Sequence, residues 1–233
     1  PVFDIEICNR CGKCAQVCPS NALVLLGKDY TVKDILDKVS EDDNFYWRSG
    51  GGPTLSGGEP FIQPEFVGNL LKELKKRGYH NVVETCGFFD MSALGMDLAL
   101  NNIDLMLYDI KHIDDNKHKA HTGHSNKSIL SNLIKISNSY NDIDIIARTP
   151  VIPGFNDTDK DIQDIANFLR SVTNLKNYEL LSYHSFGAPK YAQLGRKYAL
   201  YNINPLKQDR LDELQGLALE TLAMHQVDRL IED

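Results

Sequence analysis

The sequence predicts an α/β protein in which parallel strands alternate with helices. From about residue 31 onward, short apolar runs rich in β-branched and large residues alternate with segments whose apolar residues recur every three or four positions. This alternation is typical of βα units, in which each helix crosses back over a parallel sheet. About five such units are present, fewer than the eight of a closed barrel, so we expect a partial, open βα barrel.

Four helices are predicted by their apolar stripes and end signals. Pro64 suits a first helical position, and the stripe that follows it ends at Gly78. Asp157 or Thr158 can cap a second helix, whose apolar stripe extends to Val172. The same spacing predicts helices over about 128–140 and 208–226.

Five strands are expected between these helices. One should lead into residues 53–56, and the others cover the apolar runs 81–85, 103–110, 143–148 and 178–183. In parallel βα sheets the ligand site gathers at the carboxyl ends of the strands. The polar residues of this sequence collect at those ends, so we expect the functional site there.

The composition is that of a globular protein and argues against two classes of partner. Hydrophobic residues make up 42% and charged residues 24% of the 233 positions. No apolar run reaches the ~18 residues that a membrane-spanning helix needs, so we expect no membrane partner. The net charge of -7 argues against a nucleic-acid partner, because binding to phosphates usually needs a basic face.

Four of the five cysteines lie close together near the amino-terminal end. Cys8, Cys11, Cys14 and Cys18 match C-x2-C-x2-C-x3-C-P, with Pro19 as the last residue. In ferredoxins with two clusters, such a run supplies three ligands to one 4Fe–4S cluster and the fourth to the other. A zinc knuckle and buried structural cysteines are the alternatives, but zinc sites usually pair two separated C-x2-C units. The clustering indicates metal binding in a reducing cytoplasm.

A glycine-rich segment follows the first expected strand. Residues 50–60 read GGGPTLSGGEP, which matches neither a phosphate-binding loop nor a dinucleotide fingerprint. Gly57 and Gly58 would let a ligand approach the backbone closely, and Glu59 could accept hydrogen bonds from a ligand ammonium. On these residues alone, a turn is as good an interpretation as a ligand site.

Taken together, the motifs resemble those of the glycyl-radical-enzyme activating enzymes, a radical S-adenosylmethionine (SAM) family. The cysteine run is followed, in the order typical of that family, by SGGGPTLSGGEP, ETCG, DIKH, RTPVIPG and YHSFGAPKYAQLGRKY. The resemblance covers essentially the whole chain and is closest to the subgroup with a ferredoxin-like insert. It implies the second half of that insert over residues 1–30 and a partial radical SAM barrel, without its first strand, over residues 31–233.

The resemblance also implies an activity and partners. Members of the family use SAM and 4Fe–4S clusters to remove a hydrogen from a backbone glycine of a partner glycyl radical enzyme. They receive electrons from a donor such as flavodoxin or ferredoxin. We therefore expect a cytoplasmic oxidoreductase. Two alternatives remain open. The first is a non-catalytic electron-transfer or binding protein derived from the fold, and the second is a radical SAM enzyme acting on another substrate.

Single residues take their expected roles from the same resemblance. Gly57, Gly58 and Glu59 correspond to the motif that holds the amino group of SAM. Lys111 would meet the SAM carboxylate, and His184 corresponds to a histidine that touches SAM.

Three charged residues at other strand ends also correspond to family positions. Arg148 matches an active-site arginine, so it joins Lys111 and His184 as the expected catalytic set. Glu84 and Asp109 match positions that help form a monovalent-cation site beside SAM.

The remaining candidate ligands are interpreted as structural. Cys86 is expected to be a small buried residue rather than a ligand. The four histidines between 112 and 124 resemble a metal cluster by number, but we expect them to be surface residues of a helix and a loop.

Radical SAM enzymes also need a C-x3-C-x2-C run to hold the catalytic cluster. No such run occurs in the 233 residues. The resemblance places that run ahead of the insert. We therefore expect the chain to be the later portion of a longer protein and to be inactive by itself.

Overall fold

The computed structural model describes the backbone of residues 7–232 and the side chains of residues 7–223. The described chain divides into two compact units. The smaller unit contains residues 7–31 and 184–203, and the larger contains residues 32–183 and 204–232.

The larger unit is built on one sheet of five parallel strands. In sheet order these are β1 (Thr54–Leu55), β2 (Val82–Thr85), β3 (Leu105–Asp109), β4 (Asp144–Val151) and β5 (Leu175–Ser182). Each strand pairs in parallel with the next one along the chain. Among the described residues β1 and β5 form the two edges, so the sheet is not closed. The predicted partial, open barrel is confirmed.

Ten α-helices lie between and around these strands in the described part of the chain. In chain order they are α1 (Lys13–Gln16), α2 (Val32–Ser40), α3 (Asp43–Ser49), α4 (Pro64–Lys76), α5 (Met96–Leu100), α6 (Asp115–Thr122), α7 (Lys127–Ser139), α8 (Asp159–Leu169), α9 (Ala188–Gln193) and α10 (Gln208–Glu232). A 3-10 turn (Pro60–Ile62) precedes α4. None of the described helices is both long and apolar enough to span a membrane.

The four predicted helices are confirmed as α4, α7, α8 and α10. Pro64 begins α4, and the Thr158 side chain caps α8 by accepting a hydrogen bond from the Asp161 amide. The helix α10 continues to Glu232, beyond the predicted end near residue 226. Helices of four to nine residues were not predicted, because segments this short owe their helical state to tertiary packing rather than to propensity.

The main hydrophobic core fills the space between the sheet and its helices. Met106 and Tyr108 of β3, Ile145 of β4 and Tyr178 of β5 are all fully buried. They pack with the apolar stripes of α7, α8 and α10. A second, smaller cluster joins Leu36 of α2 to residues of α4 and to Tyr79. Along β2, β3 and β4 buried residues alternate with partly buried or exposed ones, so one face of the sheet packs against the helices and the other is only partly buried.

Candidate functional site

Glu59 follows β1, and its carboxylate is anchored at the end of β2. The Thr85 hydroxyl lies 2.8 Å from both carboxylate oxygens. The amide and the thiol of Cys86 donate to Oε2 at 3.0 and 3.2 Å. The Phe61 amide donates to Oε1 at 3.2 Å, so Glu59 also caps the 3-10 turn. These contacts fix the carboxylate at the carboxyl edge of the sheet.

The two glycines before Glu59 leave this loop open on its outer side. Gly57 has a φ of 133°, a conformation that residues with a side chain rarely adopt. A Cβ atom added at Gly57 or Gly58 would meet no heavy atom within 4 Å. A ligand can therefore approach the backbone of this loop.

Arg148 of β4 bridges the two carboxylates predicted for a cation site. Its Nη2 atom lies 2.6 Å from Oε1 of Glu84 and 2.9 Å from Oδ1 of Asp109. Its Nε atom donates to Asp109 at 3.2 Å. Burial by itself would lower the pKa of Arg148, but the hydrogen bonds to both carboxylates raise it above its ordinary value. One guanidinium offsets one of the two carboxylates, which leaves a single negative charge.

Lys111 lies in the loop after β3, near enough to Cys86 for its charge to act on the thiol. Its side chain is half-buried, and its ammonium makes no hydrogen bond or ion pair with the residues that the structure describes. The pKa of the Cys86 thiol is raised mainly by burial and also by Glu59, while the charge of Lys111 opposes the rise. An anion and a cation thus act on the same half-buried thiol.

Cys86 itself is half-buried, and its thiol donates to Glu59. Within residues 7–223, no group of three or more His, Cys, Asp or Glu side chains could hold a metal ion. The predicted burial of Cys86 is found only in part, because its thiol is half-buried.

The prediction that the four histidines are surface residues is wrong for two of them. His112 and His118 are each only 3% exposed. The His118 Nδ1 atom lies 2.8 Å from the backbone oxygen of His124 and 3.1 Å from the Thr122 hydroxyl. The His112 Nδ1 atom accepts a hydrogen bond from the Asp114 amide, so each buried ring has a polar partner close in sequence. His121 and His124 are exposed, as predicted.

His184 and the cysteine run belong to the smaller unit. The exposed His184 ring stacks on that of Phe186, with centroids 4.4 Å apart. The four thiols of the run are free, and two of them are exposed. Hydrogen bonds from the Leu23 backbone and the Ser20 hydroxyl lower the pKa of Cys18. Four soft thiol donors suit an iron–sulfur cluster in kind, although they do not converge on a common point within the described residues.

Three buried asparagines that the sequence analysis missed hold the loops of the site. Asn132 donates to the backbone oxygens of Gly87 and Phe89, after β2. Asn126 donates to those of His112 and Ile113, and Asn156 to those of Lys111 and Pro150. The sequence carried no signal for them, because an asparagine in a helix or a loop is most often exposed.

Comparison with known proteins identifies similar sequences and folds. The family model of the radical SAM superfamily matches residues 5–169. The chain is 43% identical over 229 residues to an isethionate sulfite-lyase activating enzyme of Oleidesulfovibrio alaskensis, a match that covers 97% of this chain and 71% of the relative. It is 37% identical over 222 residues to a 4-hydroxyphenylacetate decarboxylase activating enzyme of Clostridioides difficile, covering 94% of this chain and 69% of the relative.

A solved structure supports the same comparison. A domain of a pyruvate-formate lyase-activating enzyme from Bacteroides vulgatus superposes with a TM-score of 0.58 at 25% sequence identity. The superposition covers 73% of this chain and 94% of that domain.

Proposed function

The chain belongs to the radical SAM superfamily, among the activating enzymes of glycyl radical enzymes, and on that premise we propose a role for each of its site residues. Such an enzyme takes a hydrogen from a backbone glycine of a partner glycyl radical enzyme and receives electrons from a donor protein. When bound, SAM and a 4Fe–4S cluster supply the radical that removes the hydrogen. The protein's own residues bind and orient SAM and shield the reaction from competing reactions.

The proposed SAM site is the carboxyl edge of the sheet in the larger unit. Glu59, on the open loop of Gly57 and Gly58, would hold the amino group of SAM, and Lys111 would hold its carboxylate. The observation that carries this proposal is the pair of opposite charges beside Cys86. Glu59 is anchored there, and the Lys111 ammonium has no polar partner within residues 7–223. The amino-acid end of SAM is zwitterionic, so it needs one group of each sign at a short separation.

Arg148 and its two carboxylates would lie next to this site. The single negative charge left by Arg148, Glu84 and Asp109 suits one monovalent cation, which we propose these carboxylates hold. Arg148 would keep them oriented toward the site. His184 is proposed as a further contact to SAM.

The amino-terminal segment is proposed to carry electrons. We assign residues 1–30 to the second half of a ferredoxin-like insert and residues 31–233 to the barrel. The insert would use Cys8, Cys11 and Cys14 for one 4Fe–4S cluster and Cys18 for its neighbour. An enzyme with these clusters and this donor requirement would work in a reducing cytoplasm.

Calorimetric titration with SAM, on the intact and anaerobically reconstituted enzyme that carries the C-x3-C-x2-C run, tests the binding roles. Glu59→Ala and Lys111→Ala should each weaken SAM affinity tenfold or more, because a hydrogen bond to a charged group contributes about 1.5–3 kcal/mol. Lys119→Ala, which removes an exposed lysine of α6, is the matched control and should bind as the wild type does. Unchanged affinity in both site variants would refute the assignment.

A further inference from the structure

His112, the residue after Lys111, holds a buried ring in a defined orientation. Its imidazole is 3% exposed and lies against the ring of Phe155, with centroids 5.4 Å apart. The Asp114 amide donates to Nδ1 at 2.9 Å. Because Nδ1 accepts a hydrogen bond, the neutral ring carries its proton on Nε2.

The protonated Nε2 atom faces a buried carboxylate. It lies 3.2 Å from Oδ1 of Asp161. The contact does not meet the geometry of a hydrogen bond, and Nε2 has no other polar partner among the described residues. The position of the ring is therefore set by Asp114 on one side and by the charge of Asp161 on the other.

Asp161 is itself fixed and ionised. It lies in the first turn of α8 and is 5% exposed. The Thr158 hydroxyl donates to its Oδ2 at 2.5 Å, and the Lys117 ammonium donates to its Oδ1 at 2.9 Å. Burial by itself would raise the pKa of Asp161, but these two hydrogen bonds lower it. The ring of His112 thus ties the loop after β3 to a rigid helix.

The backbone beside the ring is held as well. Asn156 donates to the Lys111 oxygen at 2.8 Å, and Asn126 donates to the His112 oxygen at 2.7 Å. Both carbonyls are therefore held by buried asparagine side chains. The Lys111 ammonium, by contrast, makes no hydrogen bond or ion pair with the described residues.

We infer that His112 is a positioning residue for Lys111, with its ring, held between Asp114 and Asp161, setting where the Lys111 ammonium can reach. This inference rests on the proposed role of Lys111 in binding the SAM carboxylate. A group that supports a ligand-binding residue through packing and polar contacts can control affinity without touching the ligand.

Two substitutions of His112 separate the contacts of its two nitrogens. Asparagine can place an acceptor near the position of Nδ1 but cannot reach Asp161, whereas glutamine can place a donor near the position of Nε2. On the intact, reconstituted enzyme that carries the C-x3-C-x2-C run, we expect His112→Asn to raise both the KM and the Kd for SAM about tenfold, with kcat at saturating SAM unchanged. His112→Gln should stay within about twofold of the wild type, since the contact to Asp161 survives.

Two controls accompany this test, and a comparison with Lys111→Ala separates it from the test of the proposed function. His80→Asn, at an exposed histidine, should leave SAM affinity unchanged. Thermal unfolding of each variant shows whether it is folded at the assay temperature. If Lys111→Ala weakens SAM binding while His112→Asn does not, the inference is wrong and the proposed function stands.

Two further outcomes also decide against the inference. If Lys111→Ala binds SAM normally, the proposed function fails and the inference fails with it. If His112→Asn and His112→Gln lose SAM affinity and thermal stability to the same extent, His112 serves packing alone and the inference is overturned.

Discussion

The Thr85 hydroxyl lies 2.8 Å from both carboxylate oxygens of Glu59 and thereby ties the end of β2 to the loop after β1. Thr85 is 2% exposed, so its hydroxyl is held within the sheet. The same oxygen accepts a hydrogen bond from the Gly87 amide at 2.9 Å. The position of the proposed SAM-binding carboxylate therefore depends on the neighbouring strand.

Thr85→Val should loosen this carboxylate, because the variant keeps the shape of the side chain but lacks the hydroxyl. We expect the free energy of unfolding to fall by about 1.5–3 kcal/mol, the range for a hydrogen bond to a charged group. Thr85→Ser keeps the hydroxyl, so its free energy of unfolding should fall much less. Urea unfolding measures both, and equal midpoints for Thr85→Val and the wild type would contradict the expected contribution.

Gly87→Ala should be one of the most destabilising single changes in the larger unit. An added Cβ would lie 1.9 Å from the hydroxyl oxygen of Tyr108, and Gly87 has a φ of 76°. Tyr108 is fully buried and donates to the Ile129 oxygen at 2.6 Å, so its ring cannot yield. We expect a loss of about 3 kcal/mol or more from backbone strain and overpacking together.

Gly123→Ala is the matched control for that variant. Gly123 has a similar φ of 82°, but an added Cβ would meet nothing within 4 Å. It should lose only about 1 kcal/mol, the strain of a left-handed residue with a side chain. Equal losses in chemical unfolding of the two variants would show that Tyr108 does not close the space beside Gly87.

Stability should fall as the pH drops from 7 to 5, in part through His112. Burial lowers the pKa of His112, so the unfolded chain takes up a proton below about pH 6.5 that the folded chain does not. The contribution of the neutral His112 to the free energy of unfolding is complete above that pH and is lost as the pH falls. One proton can change this free energy by at most about 1.4 kcal/mol per pH unit. The lowered pKa of Asp161 acts in the same direction at more acid pH.

His112→Gln should remove this component of the pH dependence. Unfolding free energies of the variant should change less between pH 7 and 5 than those of the wild type. His80→Gln removes an exposed imidazole and should follow the wild type. A His112→Gln profile parallel to that of the wild type would mean that His112 is not a source of the acid sensitivity.

The cysteine run should determine iron content. Changing any one of Cys8, Cys11, Cys14 or Cys18 to alanine should lower iron and acid-labile sulfide per chain after anaerobic reconstitution, because each thiolate is a proposed ligand. Cys86→Ala, which removes the thiol beside Glu59, is the control and should keep the full iron content. Wild-type iron in all four variants of the run would exclude these cysteines as ligands.

The positions of the strands and of the main helices could be predicted because their patterns are local. The stripe after Pro64 and the cap at Thr158 each appear within a few positions of sequence, and both elements form where expected. The burial of His112 and His118 could not be predicted in this way. Their partners, which include Asp161 and the backbone of residue 124, come from other loops and from helix α8.

The sequence by itself determined the class of fold, the motifs and the kinds of side chain at the ends of the strands. The tertiary structure decided which of those side chains meet. Arg148 is 64 positions from Glu84 and 39 from Asp109, yet its guanidinium contacts both. The physical reason is that parallel strands place residues distant in sequence side by side, and the register of β3 on β4, with Asp109 opposite Arg148, is fixed by hydrogen bonding and core packing across the whole sheet.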